Sequence, residues 1–401
     1  MQALHGVALK SRGFNGSRPW QVLRLRSASS GPCHSADAAL IRKSEELALA
    51  RLSGFTAAVV IGDNIEIRDD GPRELAVLAS RFNYLSEGDV LGFQPPNRRF
   101  RTLYRRASMH NSFLVTERCN HYCLMCSQPP RDIDDRWLLD QIKAAVDLVD
   151  PETRCFTFTG GEPLLEWRAF INVLERCRDV LLSTSIHVLT NGRGFANSEV
   201  TQAWANVRHP KLMAGIPIYS AVDYVHDYVV QAQGAFDETV LGILKLKDRG
   251  QRIEVRVVLH AITAPRIVET CRWLGRNLPF VDHVALMGLE NTGFTLANSE
   301  LLWIDPVDYA SDLEQAVEIL AAAKVPVSVY NLPRCVLPKS IWPYAVQSIS
   351  DWKNGYVEEC EKCVERPHCA GFFTSGRPKL SRGISAILAM SNSEISVSSS
   401  L

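Results

Sequence analysis

Phe113-Leu114-Val115-Thr116-Glu117-Arg118-Cys119-Asn120-His121-Tyr122-Cys123-Leu124-Met125-Cys126 runs from a short apolar strand signal into three cysteines spaced C-x3-C-x2-C. A 4Fe–4S cube has four irons and is held by thiolates, so three cysteines leave one iron open to another ligand. The alternative is structural zinc, which is normally closed by four protein ligands. His121 is the available fourth ligand, but it stands two positions from both Cys119 and Cys123 and would have to fold back into the same tetrahedron as both. The ligand count favours the cluster and leaves zinc open.

Outward from this loop, the chain alternates apolar runs with helix-period segments, which predicts βα units and a parallel sheet. Strands are predicted at 112–116, 155–159, 185–190, 213–219, 253–259 and 282–287. Between the first two, Leu138, Leu139, Ile142, Ala145, Val146 and Val149 recur at helical spacing; Phe236, Val240, Ile243, Leu244 and Leu246 do the same within 236–249. Six repeats are too few for a closed eight-stranded barrel. In barrels built this way the chemistry lies at the C-terminal ends of the strands, and Cys119 follows the first strand directly.

Other strand ends carry polar motifs. Thr159-Gly160-Gly161-Glu162-Pro163 ends the second predicted strand; two glycines there let backbone approach a ligand closely, and an acid can meet an ammonium group. An ordinary βα turn is the plainer alternative. Thr190-Asn191-Gly192 ends the third strand and also reads as a turn. Ser220 after the fourth strand and Arg256 in the fifth suit carboxylate or ribose contacts. His226-Asp227 reads as a substrate-side pair or, more simply, as a cap.

A second cysteine group follows near the C-terminus: Cys335, Cys360-Glu361-Lys362-Cys363, and Cys369 ahead of Gly371-Phe372-Phe373. Four thiolates suit a closed cluster and a zinc site equally. If the triplet requires iron–sulfur assembly, a second 4Fe–4S cluster is the favoured reading.

Composition removes several function classes. Lys+Arg and Asp+Glu are equal at 44 each, so no net field recruits nucleic acid or anionic membrane. With 46% hydrophobic and 22% charged residues over 401 positions, the chain is globular and long enough for two or three domains. No apolar run is long enough to span a bilayer. Eleven cysteines, an odd number with six in two short runs and no secretory h-region, read as the reducing cytoplasm. Cys155, Cys177 and Cys271 sit in apolar or helical patterns and read as buried small hydrophobes.

The first 36 residues carry Lys10, Arg12, Arg18, Arg24 and Arg26 without an acid, superficially the composition of a transit peptide; a flexible start is the simpler reading. Residues 38–108 read as a small domain with a helix near Ser44–Ala50 and strands near Thr56–Ile61 and Val90–Phe93. Its basic run Arg98, Arg99, Arg101, Arg105 and Arg106 reads as a solvated face, with acidic-peptide contact as the minority reading. The divisions expected are a flexible 1–37, a small domain 38–108, a partial barrel 109–300, a C-terminal metal region 301–390 and a Ser-rich disordered tail 391–401.

The cysteine triplet, with the GGEP segment about 35 residues on and the TNG after it, closely resembles the radical S-adenosylmethionine (SAM) superfamily. That resemblance implies an α/β fold: a partial (β/α)6 barrel with a small N-terminal domain and a C-terminal auxiliary-cluster extension. It implies a 4Fe–4S cluster on Cys119, Cys123 and Cys126, with SAM on the open iron and reductive cleavage to a 5′-deoxyadenosyl radical. It also implies SAM contacts from Met125, Thr159, Gly160, Gly161, Glu162, Pro163 and Asn191, joined by Ser220 and Arg256. Met125 departs from the aromatic residue usual before the third cysteine; a thioether can still pack against a ring edge.

The stretches Thr116–Asn120, Leu124–Pro130, Ile216–Ser220, Tyr330–Cys335 and Ser348–Asn354 are similar to the His-Xaa-Ser system radical SAM maturase, C-type member, over about 90–385. This implies a ribosomally made His-Xaa-Ser repeat peptide as substrate and a second, auxiliary cluster on Cys335, Cys360, Cys363 and Cys369. Partners implied are a second radical SAM maturase, a small accessory protein and an electron donor such as flavodoxin or ferredoxin. Alternative functions are a radical SAM maturase of another peptide or enzyme residue, and a zinc-stabilised binding scaffold without redox chemistry.

Overall fold

The computed structural model describes residues 4–16, 19–63, 65–67, 69–347, 354–373 and 379–389. The expected tail over 391–401 therefore lies outside the described residues, as does Ser348–Lys353 of the last resembling stretch.

The N-terminal sheet is built from β1 (His5–Val7), β2 (Lys10–Arg12), β3 (Gln21–Ser27), β4 (Asp37–Ile41), β5 (Ala57–Ile61), β6 (Glu74–Leu78), β7 (Val90–Gln94) and β8 (Arg99–Tyr104), with helix α1 (Glu45–Leu52) between β4 and β5. Its strand order is β1-β8-β7-β3-β4-β5-β6-β2. The two edge strands are consecutive in sequence. Val7 lies opposite Arg99, and Lys10 opposite Val77. Between them the Ala8 N–H donates to the Arg98 carbonyl and the Leu9 N–H to that of Val77. The one segment 5–12 thus satisfies both edges and closes the sheet, which removes the exposed edges an open sheet would carry. Leu23, Leu25, Val59, Ile61, Leu91, Phe93 and Phe100 form one core of this domain, while Leu47 and Ala50 of α1 pack on Ile41, Val60 and Val77.

The segment 1–37, expected to be flexible, supplies three of these strands. In β3 the alternation Val22-Leu23-Arg24-Leu25-Arg26 puts Leu23 and Leu25 into the core and Arg24 and Arg26 on the other face. The Arg24 guanidinium donates to both carboxylate oxygens of buried Asp37 at 2.7 and 3.1 Å. The downstream basic run is likewise engaged: Arg101 donates to Gln141, Arg106 pairs with Asp150, and Arg105 lies over the Tyr84 ring.

The second sheet comprises seven parallel strands in sequential order: β9 (Asn111–Leu114), β10 (Cys155–Thr159), β11 (Ser185–Leu189), β12 (Leu212–Pro217), β13 (Arg252–Leu259), β14 (His283–Gly288) and β15 (Val327–Tyr330). The crossovers contain α2 (Trp137–Val146), α3 (Trp167–Val180), α4 (Ser198–Val207), α5 (Asp223–Val230), α6 (Ala235–Asp248), α7 (Ile267–Asn277), short α8 (Phe294–Ala297) and α9 (Ser299–Leu302), and α10 (Ala310–Ala322). This is the expected α/β partial barrel with one more αβ unit than the six predicted. The extra unit, α10 and β15, lies within 301–390, the segment expected as the auxiliary iron–sulfur region. Its strand is four residues long, and Val325-Pro326-Val327 reads as a loop until β14 pairs with it.

Alternation along the strands sets the two faces of this sheet. Ile253, Val255, Val257 and Leu259 of β13 join the main core, leaving Glu254, Arg256 and Val258 on the opposite face. Phe113, Phe156, Phe158 and Phe170 meet in edge-on and stacked pairs with centroids 5.3–5.7 Å apart, anchoring β9 and β10 beneath the cysteine loop. A two-stranded piece, β16 (Asn354–Gly355) with β17 (Phe372–Phe373), completes the C-terminal region.

Candidate active site

The cysteine loop begins where β9 ends and is fixed at its base by one buried acid. Asp135 accepts from the Thr116 hydroxyl at 3.0 Å and the Glu117 N–H at 2.5 Å, while the Arg118 guanidinium reaches Asp135 at 3.3 Å and Glu166 at 2.9 Å. Its tip is held by the end of α5, through Tyr122 N–H to the Val230 carbonyl and Leu124 N–H to that of Val229. A third support is the turn after β14: Phe294 N–H donates to Cys126 O, the Thr295 hydroxyl to Met125 O and the Asn298 amide to Leu124 O. Loop conformation is therefore set by β9, α5 and the β14 turn together.

Burial pushes the Cys119 thiol up to about 11 and raises Cys123 and Cys126 as well. The three groups feel one another: Cys126 contributes to the shifts of both Cys119 and Cys123. Ligation by thiolates at this loop would therefore release protons. His121 is buried with no partner for either ring nitrogen, and burial, then Arg193 and His226, depress it to about 3. Among the described residues no three His, Cys, Asp or Glu side chains converge closely enough to hold a single metal ion.

Thr159–Pro163 lies directly against this loop. Gly161 donates its N–H to Thr116 O at 2.7 Å, and Glu162 its N–H to Arg118 O at 2.8 Å. A Cβ on Gly161 would sit 1.8 Å from Arg118 O, and Gly160, at φ +131°, places its own Cβ position 2.4 Å from Thr116 O. The close approach these glycines permit is thus to the cysteine-loop backbone, where a ligand contact was expected. Glu162 is buried, and its carboxylate accepts from the Thr190 hydroxyl at 2.7 Å, Leu164 N–H at 2.9 Å and Asn191 N–H at 2.6 Å. Burial raises its pKa against those three bonds. Three protein donors thus orient the carboxylate, and Glu162 ties the second strand end to the third. The Asn191 amide in turn donates to Asn120 Oδ1 at 2.6 Å, next to Cys119.

The weaker assignments move. The Ser220 hydroxyl is buried and accepts from Val222 N–H at 3.1 Å, the role of a turn-capping group. Arg256 donates to Glu254 at 2.6 Å and approaches Met287 Sδ at 3.0 Å. Glu254 also pairs with His283 at 2.9 Å, and the other His283 nitrogen meets the Ser328 hydroxyl at 2.9 Å. Burial opposes ionisation of Glu254, but the His283 bond and the Arg256 charge hold it at about 2. Arg256 is therefore part of a polar network inside the sheet. Asp227 accepts from Gly234 and Phe236 N–H groups at the start of α6, the capping role.

The neighbour of Ser220, which sequence reasoning missed, has the stronger claim. Tyr219 is buried, packs with Met125, and is electrostatically coupled to Cys123, Cys126, Arg256 and Cys119. Its position at the end of β12 was the available signal.

Cys335, Cys360, Cys363 and Cys369 line one further cavity, with Arg334 and Tyr356 among its walls. Backbone N–H groups point at its sulfurs: Arg334 and Gly371 at Cys369, and Ile387 at Cys363, at 3.4–3.5 Å. All eleven cysteines are free thiols.

Residues 113–274 match the family profile described as the radical SAM superfamily. That segment is similar to a radical SAM domain. It begins in β9 and ends in α7, and so takes in the cysteine loop, the Glu162 turn and five of the seven parallel strands. No curated protein matches the sequence. Among solved structures, Streptococcus suis SuiB bound to S-adenosylmethionine is similar with a TM-score of 0.46 and 14% identity, over 59% of this chain and 53% of that one. The anSMEcpe enzyme with bound AdoMet gives 0.42 and 14%, over 54% and 62%. A radical SAM methyltransferase from Sphaerobacter thermophilus gives 0.42 and 15%, over 63% and 75%. The chain spans about half the length of SuiB. Among the described residues no helix is long and apolar enough to cross a membrane.

Proposed function

We propose that this radical SAM protein is a peptide maturase. In this reading Cys119, Cys123 and Cys126 hold a 4Fe–4S cluster with SAM on its open iron, and the substrate is a ribosomally made His-Xaa-Ser repeat peptide. The carrying observation is the loop of three coupled thiols, clamped by Asp135, α5 and the β14 turn at the C-terminal edge of a parallel sheet. Cluster and SAM, when bound, supply the one-electron chemistry. The chain's own residues position and shield: Glu162 locks two strand ends against the loop, while Met125 and Tyr219 form an apolar wall beside the thiols.

A second cluster on Cys335, Cys360, Cys363 and Cys369 belongs to the same reading, supported by their shared cavity and the N–H groups directed at sulfur. Partners are a second radical SAM maturase, a small accessory protein and a flavodoxin or ferredoxin as electron donor, acting in the reducing cytoplasm that free thiols suit. The test is coexpression with a His-Xaa-Ser repeat peptide and the accessory proteins, followed by tandem mass spectrometry against the Cys126→Ala variant. A mass change confined to the repeat and dependent on Cys126 is expected. An unmodified peptide beside an enzyme-dependent change in a metabolite or tRNA nucleoside would refute the peptide reading.

A further inference from the structure

The C-terminal rims of β13, β14 and β15 and the chain beyond them enclose a cavity apart from the cysteine loop, lined by Leu259, Leu289, Asn291, Trp303, Asn331 and Phe372. Its position is specific. Leu289 also packs against the Met125–Tyr219 cluster that includes Cys123, while Phe372 is shared with the cavity of the four C-terminal cysteines. The cavity therefore lies between the two cysteine sets.

Its polar equipment is sparse and pointed. Asn291 is only 9% exposed as a residue and stands on the cavity wall. A carboxamide there brings both a donor and an acceptor to a ligand in the cavity. Asn331 is anchored through its amide to the Gly288 carbonyl at 3.3 Å. Trp303 and Phe372 supply aromatic rings to the wall. The only charged residue on the described wall is Lys379, whose ammonium lies 5.9 Å from the Trp303 ring centroid. That ammonium is paired with Glu300 at 3.4 Å, and no carboxylate lines the described wall, so a cationic occupant finds no counter-charge there while an uncharged one needs none.

We propose that this cavity receives an uncharged, planar, hydrogen-bonding side chain of the peptide substrate, a neutral imidazole or a carboxamide, with Asn291 as the specificity-determining residue. The inference rests on the peptide-maturase reading for the identity of the occupant. An adenine ring has the same chemistry, so nucleoside and side chain must be separated by experiment.

The probes are N-acetyl-histidine methylamide, N-acetyl-asparagine methylamide, N-acetyl-lysine methylamide and adenosine. They are titrated into the full chain by saturation-transfer NMR, with Trp303 fluorescence read against a Trp303→Phe variant. At pH 8 the histidine and asparagine probes should bind and the lysine probe should not. Lowering the pH to 6 should weaken the histidine probe about fourfold, as imidazole protonates, and leave the asparagine probe unchanged. Asn291→Ala should weaken both uncharged probes about three- to tenfold. Asn291→Asp, nearly isosteric, should shift preference to the lysine probe. Equal binding of lysine and histidine probes, or affinities unmoved by either substitution at unchanged melting temperature, would overturn the proposal. So would saturation of the Trp303 signal by adenosine alone. SAM cleavage measured on the same reconstituted sample separates the two claims: cleavage without probe binding removes the pocket, and probe binding without cleavage removes the enzyme reading.

Discussion

Replacing Gly161 with alanine tests whether the second strand end and the cysteine loop form one rigid unit. The added Cβ would lie 1.8 Å from Arg118 O, where contacts under 3.0 Å do not occur, so the two segments must part by about 1.2 Å. That movement stretches both intervening hydrogen bonds, Gly161 N–H to Thr116 O at 2.7 Å and Glu162 N–H to Arg118 O at 2.8 Å, to roughly 4 Å and breaks them. Two net backbone bonds at about 1 kcal/mol each, with part of the desolvation cost of the orphaned groups, give a local loss of about 2–4 kcal/mol. The larger consequence is positional. Cys119 would shift against Glu162 and Asn191 by about an ångström, a misplacement that typically costs on the order of a hundredfold in rate. The assay is iron content after anaerobic reconstitution, then 5′-deoxyadenosine formation with dithionite, for Gly161→Ala beside Gly16→Ala, whose Cβ position has nothing within 4 Å. Wild-type iron and cleavage in Gly161→Ala would refute the idea of a rigid unit.

Stability should fall as the solution is acidified. His260 and His187 are held at about 4 chiefly by burial, so the unfolded state binds more protons between pH 6.5 and 4. Glu254, at about 2, adds a loss between pH 4.5 and 2. For His260 alone the penalty at pH 5 is about 2 kcal/mol; His260→Asn should remove it in urea titrations at pH 7 and 5, and an unchanged pH dependence would contradict the assignment. Cys360→Ala or Cys363→Ala should lower iron towards half while leaving some SAM cleavage, because the four C-terminal thiols line a cavity with none of the triplet on its wall. Zinc in the wild type with only one cluster's worth of iron would contradict the second cluster.

The triplet and the six apolar runs were legible because thiolate ligation and strand burial both depend on local spacing: β9 to β14 fall within two residues of their expected ends. The closed N-terminal sheet was not legible. Segment 5–12 is two three-residue strands whose pairing with β8 and β6 is wholly long-range. β15 escaped for the same reason. Within the site, residue types pointed to strand ends, where the same side chains also serve the protein itself. Glu162 and the paired glycines serve loop-to-loop contacts, and Ser220 serves a turn, because backbone N–H groups at strand ends compete for the same side chains a ligand would use. Tyr219 was passed over because a buried tyrosine next to a serine at a strand end looks like core.

The central claim, that Cys119, Cys123 and Cys126 together present a cluster to SAM, is tested by one measurement. Wild type and the three single Cys→Ala variants are reconstituted anaerobically, reduced with dithionite in the presence of SAM and quantified for 5′-deoxyadenosine. The wild type should produce it and each variant should produce none, because two thiolates cannot hold the cluster with one iron open. Wild-type yield from any one of the three variants would contradict the account.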